Sequence, residues 1–523
     1  MAHSKHGSPV RGMDNVAQSS VRDQRFGRMF RNLPSAAFTE PALVDLAKTM
    51  FQGEFAEKIH DHLPVDVALN ETEPEDENPA IPAGFTYFGQ FLDHDITFDP
   101  ASSLDRFNDP NALQDFRTPR LDLDSVYGSG PSDQPFLYDD DELHLLLGTD
   151  KDFDKARNNR PDLPRNNAPI RRALLGDKRN DENLIVSQLH TTFLRFHNKV
   201  VDTLGSRDFE LCQQTVRWHY QWIALHDFLP RIIGQDTYQR VIVGRGEKPV
   251  IRFYNPQGRY AFIPVEFSVA AYRYGHTMVR PSYSLNRIVT KARPDEQPFN
   301  GKMAKFNRIP IFSLTDVAQE PLANLNGFRE LPDFWSIDWA FFFDGVAPDG
   351  EPPAGAVLPQ PSYKLDTLLV DPLTSLPDHQ REPIKIRRAL AALNLLRGWR
   401  LGLPSGQAVA HHMEMEALSD EQLFDSEDAE RKEARGRLLT DHPGIFDGNA
   451  PLWFYILREA EIAGNSQHLG PVGGTIIAEV IAGLIREDRH SFLAQWPKWR
   501  PTLPGAEAGH FTMADLINFT NAP

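Results

Sequence analysis

The stretch from Phe85 to Asp95 constrains the fold of this chain more than any other. Phe85, Tyr87, Phe88, Phe91 and Leu92 call for burial, yet Gln90, Asp93, His94 and Asp95 sit among them. Buried polar groups need partners, so whatever packs around this segment must supply them. As a helix, the segment places Gln90 and His94 at i and i+4 on one face, with Asp93 beside them. Asp95 is turned about 200° from Asp93 and looks the other way. One turn thus serves two places: a pocket in front and something else behind.

The rest of the chain supplies candidates for both. Residues 1–34 are polar and read as a surface arm, and 35–523 as one domain. A helix is predicted from Glu40 to Gln52, and an acidic, solvated loop from Glu71 to Glu77. Farther on, Thr118, Arg120, Asp122 and Asp124 alternate with Pro119, Leu121 and Leu123. An extended backbone would put the Thr118, Asp122 and Asp124 oxygens on one side. Hard oxygen donors of this kind suit Ca²⁺ better than Zn²⁺, and Asp95 could add a further ligand. The same alternation also describes an amphipathic edge strand.

Gly176-Asp177-Lys178-Arg179-Asn180-Asp181-Glu182-Asn183 leads into a helix with the apolar stripe Ile185, Leu189, Phe193, Phe196, Val200 and Leu204. Arg179 and Glu182 are i, i+3 at its start, where charged residues also serve ordinary helix-end chemistry. His190 and His197 read as structural histidines. A further helix spans Phe209 to Ile233. Val265 to Val279 is predicted helical and contains Arg273-Tyr274-Gly275-His276. A helix from Pro383 to Arg400 carries Asn394 and Arg397, again i, i+3. Asn394 lies in an apolar setting and needs a specific partner. Helices at Leu452–Ile462 and Thr475–Ile485 complete a mainly α reading, with no long run of strand period.

Composition narrows the function classes. Apolar residues make up 41% of 523, and the net charge of −17 argues against nucleic acid and anionic membrane as partners. The single cysteine, Cys212, leaves no intrachain disulfide and fits a reducing compartment. No signal peptide or spanning stretch of about 18 apolar residues is seen, so a cytoplasmic location is expected.

Five pieces together resemble the animal-type haem peroxidase family, the peroxidase–cyclooxygenase superfamily, over about Phe85 to Leu493. They are residues 89–95, 121–128, 176–183, 273–277 and 393–397, in the family's order. The resemblance implies a large, mainly α-helical domain with haem b buried between a distal and a proximal helix. It implies His276 as the proximal iron ligand, with the Asn394 oxygen accepting from its N–H. It implies His94 as distal base, Arg179 stabilising the leaving oxygen, and Gln90 holding water or halide. Arg273 and Arg397 match partners of the haem propionates. Asp93 and Glu182 match carboxylates that form ester links to haem. Asp95, Thr118, Arg120 (through its carbonyl), Asp122 and Asp124 match calcium ligands.

The implied activity is reduction of hydrogen peroxide through a ferryl intermediate, with oxidation of a small halide, pseudohalide or phenolic donor. Asn183 stands where some relatives carry a Met that makes a third haem link, so that link is not expected. Fatty-acid dioxygenases of the superfamily carry a radical Tyr three residues before the proximal His. Here that position is Arg273, and the flanking Tyr272 and Tyr274 are expected to point elsewhere. A His-Asp metal-dependent hydrolase is a further alternative, but it needs a compact cluster of additional histidines that the chain does not display.

Overall fold

The computed structural model describes residues 26–51, 74–98, 117–150, 160–244, 248–256, 261–291, 308–312, 324–351, 357–374, 376, 385–506 and 509–522. Within them the chain is mainly α-helical. The principal helices are α1 (Glu40–Lys48), α2 (Gly84–Ile96), α3 (Leu184–Leu204), α4 (Phe209–Ile223), α5 (Leu390–Arg400), α6 (Leu452–Ala463), α7 (Pro471–Glu487) and α8 (Met513–Asn521). The described strands form short pairs that pin loops. β1 (Phe26–Gly27) runs parallel to β3 (Ile263–Pro264), while β2 (Glu77–Pro82) and β6 (Pro361–Tyr363), and β4 (Ser282–Tyr283) and β5 (Ile309–Pro310), are antiparallel.

Helix α2 is central because its apolar residues are buried on nearly every side. It starts at Gly84 because nothing larger fits. A Cβ there would lie 2.5 Å from the Phe343 ring and 2.6 Å from the Phe342 carbonyl oxygen. It ends at Thr97, whose Oγ1 donates to Asp93 Oδ1 at 2.9 Å. Phe91 stacks on Phe193 of α3 with centroids 4.7 Å apart, and Phe88 meets Tyr220 and Phe228 edge-on. Each such buried ring contributes about 1.5–3 kcal/mol. Asn183 caps α3, its Oδ1 accepting from the Ile185 and Val186 N–H groups. The apolar stripe of α3 ends one turn early: Leu204 is 41% exposed, next to the left-handed Gly205 that terminates the helix.

Several expectations need correction. Residues 1–25 of the predicted arm lie outside the described residues, but from Phe26 the chain is built into the core. Phe26, Met29 and Phe30 are buried, and the Glu266 carboxylate accepts from the Met29 and Phe30 N–H groups. Glu77, placed in a solvated loop, instead begins β2 and accepts from the fully buried Arg280 at 2.7 Å. The extended segment at 118–124 is a series of bends, because Leu123 is left-handed (φ 57°) and a short helix starts at Asp124. The predicted helix at 383–400 is a 3₁₀ turn at Lys385–Arg388, an extended Ala389, and then α5.

The largest departure is at 265–279. A π turn (Glu266–Ala270) gives way at Ala270 (φ −127°, ψ −74°) to a 3₁₀ helix over Ala271–His276. With about three residues per turn, i and i+3 eclipse, so Arg273 and His276 share one face more closely than an α-helix allows.

Candidate active site

Helix α2, the segment before α3 and the 3₁₀ helix at 271–276 wall a cavity of about 350 Å³. Gln90, Asp93, His94, Glu182, Arg273 and His276 all line it. A second lobe of about 310 Å³ is lined by Asp93, Arg179, Arg273 and Arg397. Asp93 and Arg273 belong to both walls, so the lobes adjoin. Tyr272 ties the two sides together, its hydroxyl donating to the Gly89 carbonyl of α2 at 3.1 Å. Tyr272 and Tyr274 also line the first lobe, a correction to the view that they point away. The tight 3₁₀ winding brings their neighbourhood to the wall.

On the α2 side, His94 is buried and its Nδ1 lies 2.8 Å from Asn180 Oδ1. Its Nε2 is 3.4 Å from Glu182 Oε1. Gln90 Nε2 donates to the same Glu182 oxygen, and Gln90 Oε1 accepts from Asn183 Nδ2 at 3.3 Å. Burial alone would raise the Glu182 carboxyl, but His94, Arg179 and Gln90 outweigh it and hold the group below its ordinary range. Asp93 faces both lobes and is held by Thr97.

Arg179 faces the adjoining lobe. Its guanidinium donates to the Asp177 carboxylate, to the His94 carbonyl at 3.1 Å and to the Thr97 carbonyl. The reason lies two residues earlier. Asp177 is buried, and it accepts from Arg179 Nη2 at 2.8 Å and meets Arg117 Nε at 2.9 Å. Burial would raise the Asp177 carboxyl, but the two guanidiniums, with His94, drive it well below the usual carboxylate range. Arg179 thus clamps the C-terminal end of α2.

On the other side, His276 Nδ1 lies 2.9 Å from Asn394 Nδ2. The Asn394 oxygen is taken by Arg273 Nη1. This reverses the expected bond: the amide donates to His276 and does not accept from it. Burial, and then the charge of Arg273, push His276 down to about 3, so its imidazole is neutral. Arg273 itself is lowered to about 10 by burial and by the nearby charge of Arg397. Two guanidiniums at close quarters make the second lobe a place for carboxylates.

Behind α2, the Asp95, Asp122 and Asp124 carboxylates offer oxygens within 4.8 Å of one another. Thr118 joins them, its Oγ1 donating to Asp122 Oδ2 at 2.8 Å, and the Arg120 N–H donates to the Thr118 carbonyl. Burial, reinforced by the other two carboxylates, raises Asp95 well above its ordinary range. Burial and Asp122 bring Asp124 up to about 7, against the pull of Arg117. Among the described residues this is the one such convergence of three metal-ligating side chains, and it contains no histidine. A His-Asp hydrolase centre therefore has no counterpart among them.

Sequence reasoning missed three residues here: Asp177, Asn180 and His190. Asn180 Nδ2 lies 2.9 Å from His190 Nδ1, so the histidine read as ordinary packing stands directly behind the His94 partner. Its spacing on α3, eight residues after Glu182, carries no signal by itself.

A model of the animal haem peroxidase family matches residues 102–324. Over that segment the chain is similar to the animal haem peroxidase family. Peroxidasin homolog pxn-2 of Caenorhabditis elegans is 31% identical over 181 residues, 31% of this chain and 13% of that protein. The chain spans about a seventh of the length of the peroxidasin-type curated relatives it matches. Peroxidase A from Dictyostelium discoideum has the same fold, with TM-score 0.55 at 16% identity over 96% of this chain and 93% of that one. Fatty acid alpha-dioxygenase of Arabidopsis thaliana superposes with TM-score 0.54 at 16% identity, over 96% of this chain and 76% of that one. Similarity to that family points to haem, and the residues fit it. Imidazoles from two distant segments open on one cavity of the size range of small-molecule sites, and a lobe rich in guanidinium adjoins it.

Proposed function

We propose that this protein is a haem-dependent peroxidase that reduces hydrogen peroxide and oxidises a small donor, a phenol, halide or pseudohalide. The observation that carries this reading is the opening of His94 and His276 on one cavity. Haem, when bound, supplies the iron at which the peroxide bond breaks and from which the donor is oxidised. His276 would hold the iron, and Arg273 and Arg397 would hold the haem carboxylates. To present a lone pair at Nε2, His276 must carry its proton on Nδ1. Asn394 must then turn its oxygen to the ring, and Arg273 must leave that oxygen for another carboxylate or carbonyl.

His94 Nε2, facing the cavity, takes a proton from peroxide and returns it to the departing oxygen. Gln90 and Glu182 orient small polar molecules beside it. Arg179 acts on this reading through the end of α2 and through its charge at the adjoining lobe. Asp93 and Glu182 would be the carboxylates that form ester links to haem. Asp95, Thr118, Asp122 and Asp124 would hold Ca²⁺, which would offset most of the charge of three crowded carboxylates and brace α2 from behind.

The test is direct. Purified protein with haem should show a Soret band and oxidise a phenolic donor only when peroxide is added. Extraction with acidic organic solvent should leave haem on the polypeptide if the ester links form. A second reading, fatty-acid dioxygenase, draws support from Tyr272 and Tyr274 on the cavity wall. Oxygen uptake with a fatty acid and no donor would favour it, and its absence alongside donor turnover would dismiss it.

A further inference from the structure

We propose that Asn180 and His190 are a pair of positioning residues that hold His94 in the tautomer with hydrogen on Nδ1 and the lone pair on Nε2. The proposal rests on the peroxidase reading for its catalytic meaning, though the tautomer itself does not. An amide oxygen can only accept. With Asn180 Oδ1 at 2.8 Å, His94 Nδ1 must be the donor, which leaves Nε2 as the basic nitrogen toward Glu182 and the cavity.

An amide held at one end could turn over and reverse this. His190 prevents it. Asn180 Nδ2 lies 2.9 Å from His190 Nδ1, so that nitrogen must accept and its hydrogen must lie on Nε2. Both side chains are buried, and Phe91 of α2 meets the His190 ring edge-on with centroids 6.2 Å apart. Burial pushes His190 down to about 3, against the charge of Asp177, so it stays neutral and keeps an acceptor for the amide. A charged ring would offer only donors and would turn Asn180 around. The bonds run from His190 to Asn180 to His94 on the wall across from His276, with His190 Nε2 buried and without a hydrogen-bond partner. The family motif picks out the neighbours Arg179 and Glu182 and passes over the residue between them that sets the proton position.

The experiment has two arms on the 523-residue chain. In haem-loaded protein, the association rate of cyanide is read from the Soret shift, since HCN must give its proton to a base facing the cavity. Asn180→Leu should slow it about ten- to a hundred-fold with haem content and melting temperature little changed. Asn180→Asp, which keeps an acceptor oxygen, should restore it, and His190→Phe should fall between. In protein grown without haem, ¹⁵N-histidine long-range correlation spectra should show His94 as the Nδ1–H tautomer in wild type and as a mixture in Asn180→Leu. A wild-type cyanide rate in Asn180→Leu, or equal losses in the Leu and Asp variants, would overturn the proposal. So would an Nε2–H tautomer in the wild-type spectrum. A wild-type protein with no Soret band would sink the peroxidase reading instead, and the spectra would still decide the tautomer.

Discussion

Replacing Asp177 with Asn should destabilise this protein by about 3 kcal/mol at neutral pH. The carboxylate is 1% exposed and has two guanidiniums on it, Arg179 at 2.8 Å and Arg117 at 2.9 Å. Removing one partner of a buried ion pair costs about 3–5 kcal/mol, because the other charge stays buried and uncompensated. The low end applies here. Arg117 keeps Asp124 at 3.1 Å, Arg179 keeps the His94 carbonyl, and both side chains retain some contact with solvent. With an unfolding entropy of about 2.1 cal/mol/K per residue, a loss of about 3 kcal/mol lowers the melting temperature of 523 residues by about 3 °C. The sign with pH follows from the depressed carboxyl. Its stabilisation is complete above the unfolded value of about 3.9 and is lost as pH falls through the lower folded value. Melting curves of wild type and Asp177→Asn, taken at fixed ionic strength from pH 7 downward, should therefore differ most near neutrality and converge below about pH 4. Equal melting temperatures at pH 7, or a gap that widens on acidification, would refute the reasoning.

Other outcomes are expected. His276→Ala should lose haem, read from the Soret band, whereas His94→Ala should keep it and lose about 10²–10⁴ in peroxide turnover. A calcium chelator should lower the melting temperature and added Ca²⁺ restore it. At a hundred times the dissociation constant the gain is about 2.7 kcal/mol, and Asp124→Asn should abolish most of the response. Gly406→Ala would set a Cβ 2.0 Å from Tyr455 Cγ, and the overpacking should cost about 1–3 kcal/mol or more in a melting experiment.

Much of the fold was legible because its helices are long and periodic. α3, α4, α6 and α7 carry apolar residues at helical spacing and terminate at recognisable caps, such as Asn183 and Gly205. The segment at 265–279 was legible as helical but not in its winding. Its π and 3₁₀ turns answer to the bonds from the Met29 and Phe30 N–H groups to Glu266 and to packing against α6, which local composition does not encode. The same holds for Phe26 to Phe30, whose burial depends on a carboxylate more than 200 residues away.

The sequence by itself determined which side chains are present at each end of the site: an imidazole, amide and carboxylates on α2, and an imidazole and guanidinium at 273–276. Periodicity alone also separated Asp95 from His94, because a helix turns each residue by about 100°. Only the tertiary structure decided what each polar group bonds. It turned Arg179 onto Asp177, turned the Asn394 amide toward Arg273, and placed Asn180 and His190 behind His94. Hydrogen-bond partners at such distances along the chain are set by how helices pack, and a buried donor takes whichever acceptor that packing brings within about 3 Å.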